Sequence, residues 1–433
     1  MKKAFIVAAL ILALAVPAMA ADLSVSGAAR FRGFHQDNTM LDPNAEESRA
    51  WYDFRIRPVF TIKVNDNISL VTRVRIFNND RFGNNNTTIK AGGAAAAAGK
   101  NDLASWDRGW VNVKTPYGLF QTGRMTGGVW GLDINDVEAA ADRVRFTMQF
   151  GNLTVLPIIE KVQENDVLAN YNTGASNRQA DLDVDAYHLG LVYKMENITM
   201  GLLSSHSRNA AVAAQLTQQY IFQPYFTAKF GNFGLMGEGR IITGSTKFTT
   251  NNQGATAADN DISGHNLFLA GSATFGPIGL QIGYAMGSGD SDPADTKTEN
   301  GAAWGTEYTP LVVMTDVDNY INLATITPLG YHVFFGQIDY NLTDSIKLTA
   351  LGATAKVDEN RAFTTDSIGR EFDLKLLWKA MPNLTYEVLW GYFWAGDIWK
   401  NAGSRAAAGA AGGAALANVD DTWTLYHKLE ITF

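Results

Sequence analysis

The stretch WYDFRIRPVFTIKV, residues 51–64, alternates between two kinds of side chain. Its even positions, from Tyr52 to Val64, are all apolar or aromatic. Successive side chains of a strand point to opposite faces, whereas a helix would mix the two sets around its circumference. The pattern therefore predicts a strand with one apolar face and one ionic face. The ionic face is carried by Asp53, Arg55, Arg57, Thr61 and Lys63.

The same alternation recurs along the chain. Residues 23–34, 67–77 and 143–150 each place aliphatic or aromatic side chains on one face and mostly Arg, Ser, Thr or Gln on the other. Short turns rich in Gly, Pro, Asn and Asp alternate with long connections such as 78–103 and 288–329. Short turns at one end of the strands and long loops at the other are typical of up-and-down barrels in the bacterial outer membrane.

A closed barrel reconciles the apolar and ionic faces. In hydrocarbon every backbone group needs a partner, and a closed barrel supplies these partners and has no free edge. The apolar face would contact lipid and the ionic face a water-filled lumen, because an arginine on the lipid face near the midplane costs about 2–4 kcal/mol. Pro58 cannot donate to the ladder, so a local bulge or weak spot is expected there.

The predicted fold is all-β, a transmembrane antiparallel up-and-down β-barrel. The segments count to 18 strands, with 16 as the alternative because strand ends are predicted only to within a few residues. A barrel of about 16–18 strands leaves an aqueous channel. After the N-terminus no apolar run reaches the length of a membrane-spanning helix.

The first 20 residues, MKKAFIVAALILALAVPAMA, are typical of a secretory signal peptide, with Lys2 and Lys3, an apolar core and an Ala-x-Ala cleavage site. Residues 21–433 are then predicted to form a single barrel domain, surrounded by lipid in the outer membrane of a Gram-negative bacterium. The full chain has a formal net charge of −8, and nothing in it indicates nucleic-acid binding.

The order of these parts resembles the general porins of Gram-negative bacteria, including the porin-like major proteins of delta-proteobacteria. The resemblance rests on the signal site, the segment GLFQTGRM (118–125) and the terminal ITF. The terminal strand TWTLYHKLEITF ends at Phe433 and resembles the signal that such barrels present to the barrel-assembly machinery. The resemblance also implies a homotrimer in which each barrel is its own pore.

In that family the loop after the fifth strand folds into the barrel and narrows it. If residues 118–125 are the fifth strand, the corresponding constriction loop lies at about 125–142. This segment is rich in acids, and the resemblance implies that they face a basic cluster on the opposite wall. The predicted loop acids are Asp133, Asp136, Glu138 and Asp142.

Arginine is concentrated in the first third of the chain, with 12 of the 18 arginines between residues 30 and 145. Adjacent strands bring alternate positions together, so the pairs Arg30/Arg32, Arg55/Arg57 and Arg73/Arg75 are expected to form one basic patch on one wall of the pore. An acidic loop opposite would create a transverse field that orders water and favours polar solutes. The predicted pore-lining residues are Arg30, Arg32, Arg55, Arg57, Arg73, Arg75, Arg108, Arg124, Arg143 and Arg145.

These features predict a porin, which lets small hydrophilic solutes and ions diffuse passively, and not an enzyme. The six histidines lack metal-ligand spacing and no Gly-x-Ser-x-Gly motif is present, so no metal, cofactor or catalytic residue is predicted. Two alternatives stay open. One is a solute-specific channel whose arginine wall guides anions such as phosphate or carboxylates, and the other is a barrel adhesin or enzyme.

Overall fold

The computed structural model describes ten stretches of the chain. The predicted signal peptide, residues 1–20, lies outside them. Across these stretches, no helix is long and apolar enough to cross a membrane. The described residues are 22–44, 47–82, 104–165, 182–212, 215–248, 258–301, 304–316, 322–361, 365–401 and 415–433.

The barrel strands, numbered in chain order, account for most of the described residues. They are β1 Asp22–Asp37, β2 Ser48–Lys63, β3 Ile68–Arg81, β4 Ala104–Thr115, β5 Gly118–Gly127, β6 Ala139–Phe150, β7 Leu153–Gln163, β8 Val184–Lys194, β9 Ile198–Asn209, β10 Gln215–Phe230, β11 Phe233–Phe248, β12 Asn260–Phe275, β13 Ile278–Gly287, β14 Tyr331–Asn341, β15 Ile346–Lys356, β16 Ser367–Met381, β17 Leu384–Ala395 and β18 Thr422–Thr432. A two-residue strand, Lys297–Thr298, and the 3-10 helices Leu323–Leu329 and Asp397–Lys400 lie in the connections.

Each barrel strand pairs antiparallel with the next, and the last strand pairs with the first. Ala28 lies opposite Thr432, and Asp37 lies opposite Trp423. The barrel is therefore closed, so the predicted fold class and the favoured count of 18 strands are confirmed.

Glycine makes three of the tight turns possible. Gly151, Gly231 and Gly276 have φ of +57°, +59° and +55°, in the left-handed region that other residues rarely adopt. Each follows a terminal phenylalanine of its strand, and the next strand begins two residues later. Turns this short fix the register of their hairpins, which leaves the longer connections at the opposite end of the barrel.

Strand β2 has the two faces that its sequence predicts. Tyr52 is 54% exposed and Phe54 stacks on Phe31 of β1 at 5.8 Å between ring centroids, whereas Asp53 is 1% exposed and bonded to Arg32 inside the barrel. Apolar side chains are also exposed on the outer surface of the opposite side of the barrel. Ile282, Phe334 and Leu374 are 73%, 57% and 47% exposed, which suits a surface immersed in hydrocarbon.

The expected irregularity lies near Pro58 but not at it. Pro58 pairs with Gly27 in the β1–β2 ladder. The register shift falls between Phe54 and Ile56 in the β2–β3 ladder, where Phe77 and Asn79 of β3 have positive φ. The bulge is thus built into β3.

The interior contains an apolar core, which the alternation of side chains does not predict. Residues 304–316, here called the second inward loop, bury Leu311, Val312, Val313 and Met314 almost completely. They pack against apolar side chains on the inner faces of β12 to β17, including Phe268, Val333, Phe335, Leu351 and Phe393. This part of the wall has few arginines, and its inner face is apolar. By packing against it, the loop shields these apolar side chains from the water in the lumen.

Candidate functional site

The connection between β5 and β6 crosses the lumen. These residues, 128–138, are here called the first inward loop. Glu238 of β11 accepts hydrogen bonds from the Leu132 backbone N–H at 2.6 Å and from Asn135 Nδ2 at 2.7 Å. The Trp130 indole N–H donates to the Gln223 carbonyl of β10 at 3.0 Å. The loop thereby connects the β5–β6 hairpin to a distant part of the wall.

The two inward loops touch through their backbones. Gly305 N donates to the Ile134 carbonyl at 2.9 Å, and Thr306 N donates to the Asp136 carbonyl at 2.8 Å. A Cβ atom at position 305 would lie 2.6 Å from both the N and the O of Asp136. Only glycine allows this approach without displacing backbone, so the two loops form one joined partition of the lumen.

Glu138 ends the first inward loop among the arginines of β2, β3 and β4. Its carboxylate lies 3.0 Å from Arg73 Nη1, 2.6 Å from Arg108 Nη2 and 3.7 Å from Arg57 Nη1. Burial alone would raise the pKa of Glu138, but the hydrogen bond from Arg73 and the positive charge of Arg108 lower it below the ordinary value. Glu138 therefore neutralises part of the basic wall from within it.

A cavity of about 720 Å³ lies between the basic wall and the second inward loop. Arg30, Arg55 and Arg57 line it from β1 and β2, and Arg30 Nη2 donates to Asn79 Oδ1 at 2.7 Å. Arg32 also lines the cavity, but its guanidinium makes a two-pronged bond with the buried Asp53 at 2.9 and 2.8 Å. The charge of Arg32 is therefore largely compensated inside the wall.

Acidic groups border the same cavity. Glu307 and Asp316 reach it from the second inward loop, and Glu387 reaches it from β17. Lys375 and Lys428 line the cavity as well, and Lys428 lies 3.7 Å from Glu387. A transverse field would therefore run mainly between the arginines of β1 and β2 and the acids Glu307 and Asp316. The acidic side was predicted on the first inward loop, and Glu307 and Asp316 were not among the predicted residues. The apolar run LVVM (311–314) was the available signal, because a loop exposed to water does not need it.

The other predicted arginines on the inner wall hold polar partners. Arg73 and Arg75 both bind Asp107 of β4, at 2.6 and 2.9 Å, and Arg145 donates two bonds to Gln121 of β5. Arg143 lies against Glu160 of β7. These residues extend a network of charges around β3 to β7, beside the cavity.

The assignment of Arg124 to the pore and of Asp142 to the loop acids is wrong. Arg124 and Asp142 lie opposite each other in the β5–β6 ladder and form an ion pair at 3.1 Å, with both side chains more than half exposed. Gln121 and Arg145 point inwards from the same two strands, three residues away. An odd separation along a strand places Arg124 and Asp142 on the opposite, outward face.

The remaining two predicted loop acids do not meet the basic wall. Asp133 is exposed, with φ of +67°, and Asp136 is buried where its carboxylate accepts the Trp130 backbone N–H at 2.7 Å. Within the described ranges neither forms an ion pair with an arginine. No group of three or more His, Asp or Glu among those residues is arranged to hold a metal ion.

Loss of stability at rising pH is expected from Asp136. Burial and the nearby charges of Glu238 and Asp133 raise its pKa to about 7, although the Trp130 N–H opposes them. The folded state then binds one proton more than the unfolded chain between about pH 4 and pH 7, so the free energy of unfolding should fall over this window by at most about 1.4 kcal/mol per pH unit. Above the folded pKa both states have lost the proton and the slope should vanish.

Urea unfolding of wild type and Asp136→Asn in detergent, at several pH values across this window, checks this expectation. Asparagine cannot titrate, so the difference in unfolding free energy between the two proteins should change with pH. Parallel pH curves for the two proteins would show that Asp136 does not carry the effect.

The fold is shared with solved outer-membrane proteins. Pseudomonas aeruginosa OccK9 (OpdG) superposes with a TM-score of 0.56 at 16% identity, covering 95% of this chain and 99% of that one. Acinetobacter baumannii OccAB1 gives 0.55 at 13% identity, covering 95% and 97%. Pseudomonas aeruginosa OpdK in a structure with vanillate gives 0.55 at 11% identity, covering 95% and 98%. No protein-family model and no curated protein sequence matches the chain.

Proposed function

We propose that this chain is an outer-membrane channel of a Gram-negative bacterium, through which small hydrophilic solutes and ions diffuse down their gradients. The observation that carries the proposal is the cavity inside the closed barrel, where Arg30, Arg55 and Arg57 face a space shared with Glu307 and Asp316. The apolar outward face of the strands supports a position in lipid. Two inward loops narrow the path, so solutes would be selected by size and charge.

A preference for carboxylates is the second candidate, and it concerns the same cavity. Arginine has a planar fork of donors that matches a carboxylate in two-pronged geometry, as Arg32 and Asp53 illustrate within this barrel. OpdK, which shares the fold, has been solved with vanillate, an aromatic carboxylate. At 11% identity this likeness concerns the fold, so the preference rests mainly on the arginines.

Planar-bilayer recording of the purified protein tests both candidates. Stepwise conductance that rises linearly with salt supports passive diffusion, and the sign of the reversal potential in a salt gradient reports the preferred ion. Saturation with benzoate, or block of chloride current by benzoate but not by benzyl alcohol, supports the carboxylate channel. An absence of conductance contradicts both and favours the adhesin or enzyme alternatives.

One arrangement bears on an enzymatic role. His188 Nδ1 lies 2.8 Å from Ser205 Oγ, and His188 Nε2 lies 3.4 Å from Glu160. Ser205 is only 8% exposed and Glu160 is bound to Arg143, so these side chains are engaged with each other inside the wall and offer a substrate little access to the hydroxyl. The channel therefore remains the better supported function.

Two features of assembly remain predictions. Phe433 exchanges backbone hydrogen bonds with Gly27, at 2.7 and 3.0 Å, so the terminal residue takes part in closing the barrel. Recognition of this strand by the barrel-assembly machinery, and association into a homotrimer, follow only from the resemblance to general porins.

A further inference from the structure

Two buried carboxylates hold the second inward loop in place. Glu371 and Asp373 lie on the inner face of β16, and each side chain belongs to a residue that is 2% exposed. Glu371 accepts the backbone N–H groups of Val313 at 2.6 Å and Met314 at 2.8 Å. Asp373 accepts the N–H of Val312 at 3.1 Å. Three successive backbone donors of the loop are thereby bound to two neighbouring carboxylates.

The neighbouring strand leaves room for this contact. Gly391 of β17 lies opposite Asp373 in the ladder. A Cβ atom at position 391 would overlap both the Asp373 carboxylate and the Val312 side chain. The glycine is therefore required by the close approach of the loop to the wall.

Carboxylates are costly to bury in an apolar core unless strong donors compensate them. Here they lie beside the most deeply buried side chains of the second inward loop, and the loop's own N–H groups bond both oxygens of Glu371 and one oxygen of Asp373. The contact is thus mutual, because removing the carboxylates would leave three backbone donors without these acceptors.

We propose that Glu371 and Asp373 are positioning residues that fix the second inward loop and so determine the width of the channel and the location of its acidic side. Glu307 to Pro310 and Asp316, which flank the anchored segment, line the cavity. The inference rests on the proposed function, in which that cavity is the path of the solute. Glu371 acts through the loop and does not itself line the cavity, whereas Asp373 also lines it.

Two variants disturb the contact by different means. Glu371→Gln keeps the size of the side chain but replaces one acceptor oxygen by a donor. Gly391→Ala keeps both carboxylates and displaces Val312 sterically. The matched controls are Glu430→Gln, which removes an inward carboxylate of β18 that does not contact the loop, and Gly271→Ala, where an added Cβ meets nothing within 4 Å.

The first readout is the rate at which neutral sugars of increasing size enter proteoliposomes. Glu371→Gln and Gly391→Ala should both raise the rate for a trisaccharide relative to that for a pentose, whereas the two controls should keep the wild-type ratio. A neutral solute is used because a loss of charge alone should not change this ratio. Wild-type ratios in both test variants, with normal barrel folding, would overturn the proposal.

A second readout separates this inference from the channel function. The chain has no cysteine, so Thr309→Cys introduces a single thiol on the cavity face of the loop. Its rate of modification by a charged thiol reagent should change when Glu371→Gln or Gly391→Ala is added, and should not change with the controls. If wild type fails to conduct but these rates change, the channel proposal fails, and the proposed role of Glu371 and Asp373 in fixing the loop stands. Unchanged rates would refute that role.

Discussion

Replacing both Arg55 and Arg57 by glutamate should shift the ion preference of the channel strongly towards cations. Both side chains line the cavity, and the double substitution changes its charge by four units. One unit charge acts on an ion about 4 Å away with about 1 kcal/mol even in bulk water, and with about 4 kcal/mol at an effective dielectric constant of about 20. The anion-to-cation permeability ratio should therefore fall by about tenfold or more.

Reversal potentials in a potassium chloride gradient measure this change. Arg124→Glu is the matched control, because it removes an arginine of the same sequence region from the outward face of β5. It should leave the reversal potential at the wild-type value. An equal shift in the control and the double variant would mean that bulk charge, and not the cavity, determines the preference. Raising the salt concentration should reduce the effect, because exposed charges are screened.

Gly305→Val should separate the two inward loops. The added Cβ would meet three backbone atoms, namely the N and O of Asp136 and the O of Ile134, and none of them can rotate away. Forcing side-chain atoms into such a contact typically costs about 1–3 kcal/mol. The hydrogen bonds from Gly305 to Ile134 and from Thr306 to Asp136 should weaken at the same time. We expect a larger single-channel conductance together with a lower free energy of unfolding.

Single-channel recording and urea unfolding of the same preparation test this expectation together. Gly271→Val serves as the control, because position 271 has open space around its Cβ. If the control loses as much stability as Gly305→Val, the effect belongs to glycine replacement in general. A Gly305→Val channel with unchanged conductance would show that the contact between the loops does not limit the path.

The alternation of side chains determined the architecture. The parity of Tyr52 and Asp53 assigned each to its face, and the spacing of turn residues led to 18 strands. Such features are local, because the period of a strand is two whatever the rest of the chain does. The same rule identifies Arg124 as outward, since it lies three residues from Gln121, so the error at Arg124 could have been avoided from the sequence.

The interior of the barrel was decided by tertiary structure. Glu371 binds N–H groups of residues nearly 60 positions away, and Glu238 binds the first inward loop across more than 100 positions. Nothing in the local sequence of either loop specifies these partners. A loop enters the lumen only if the wall offers complementary groups at the matching position along the barrel axis. The sequence by itself thus determined a closed two-faced barrel with an arginine-rich wall. Which acids face that wall, and how wide the gap is, depended on where two loops found buried carboxylates and an apolar surface to cover.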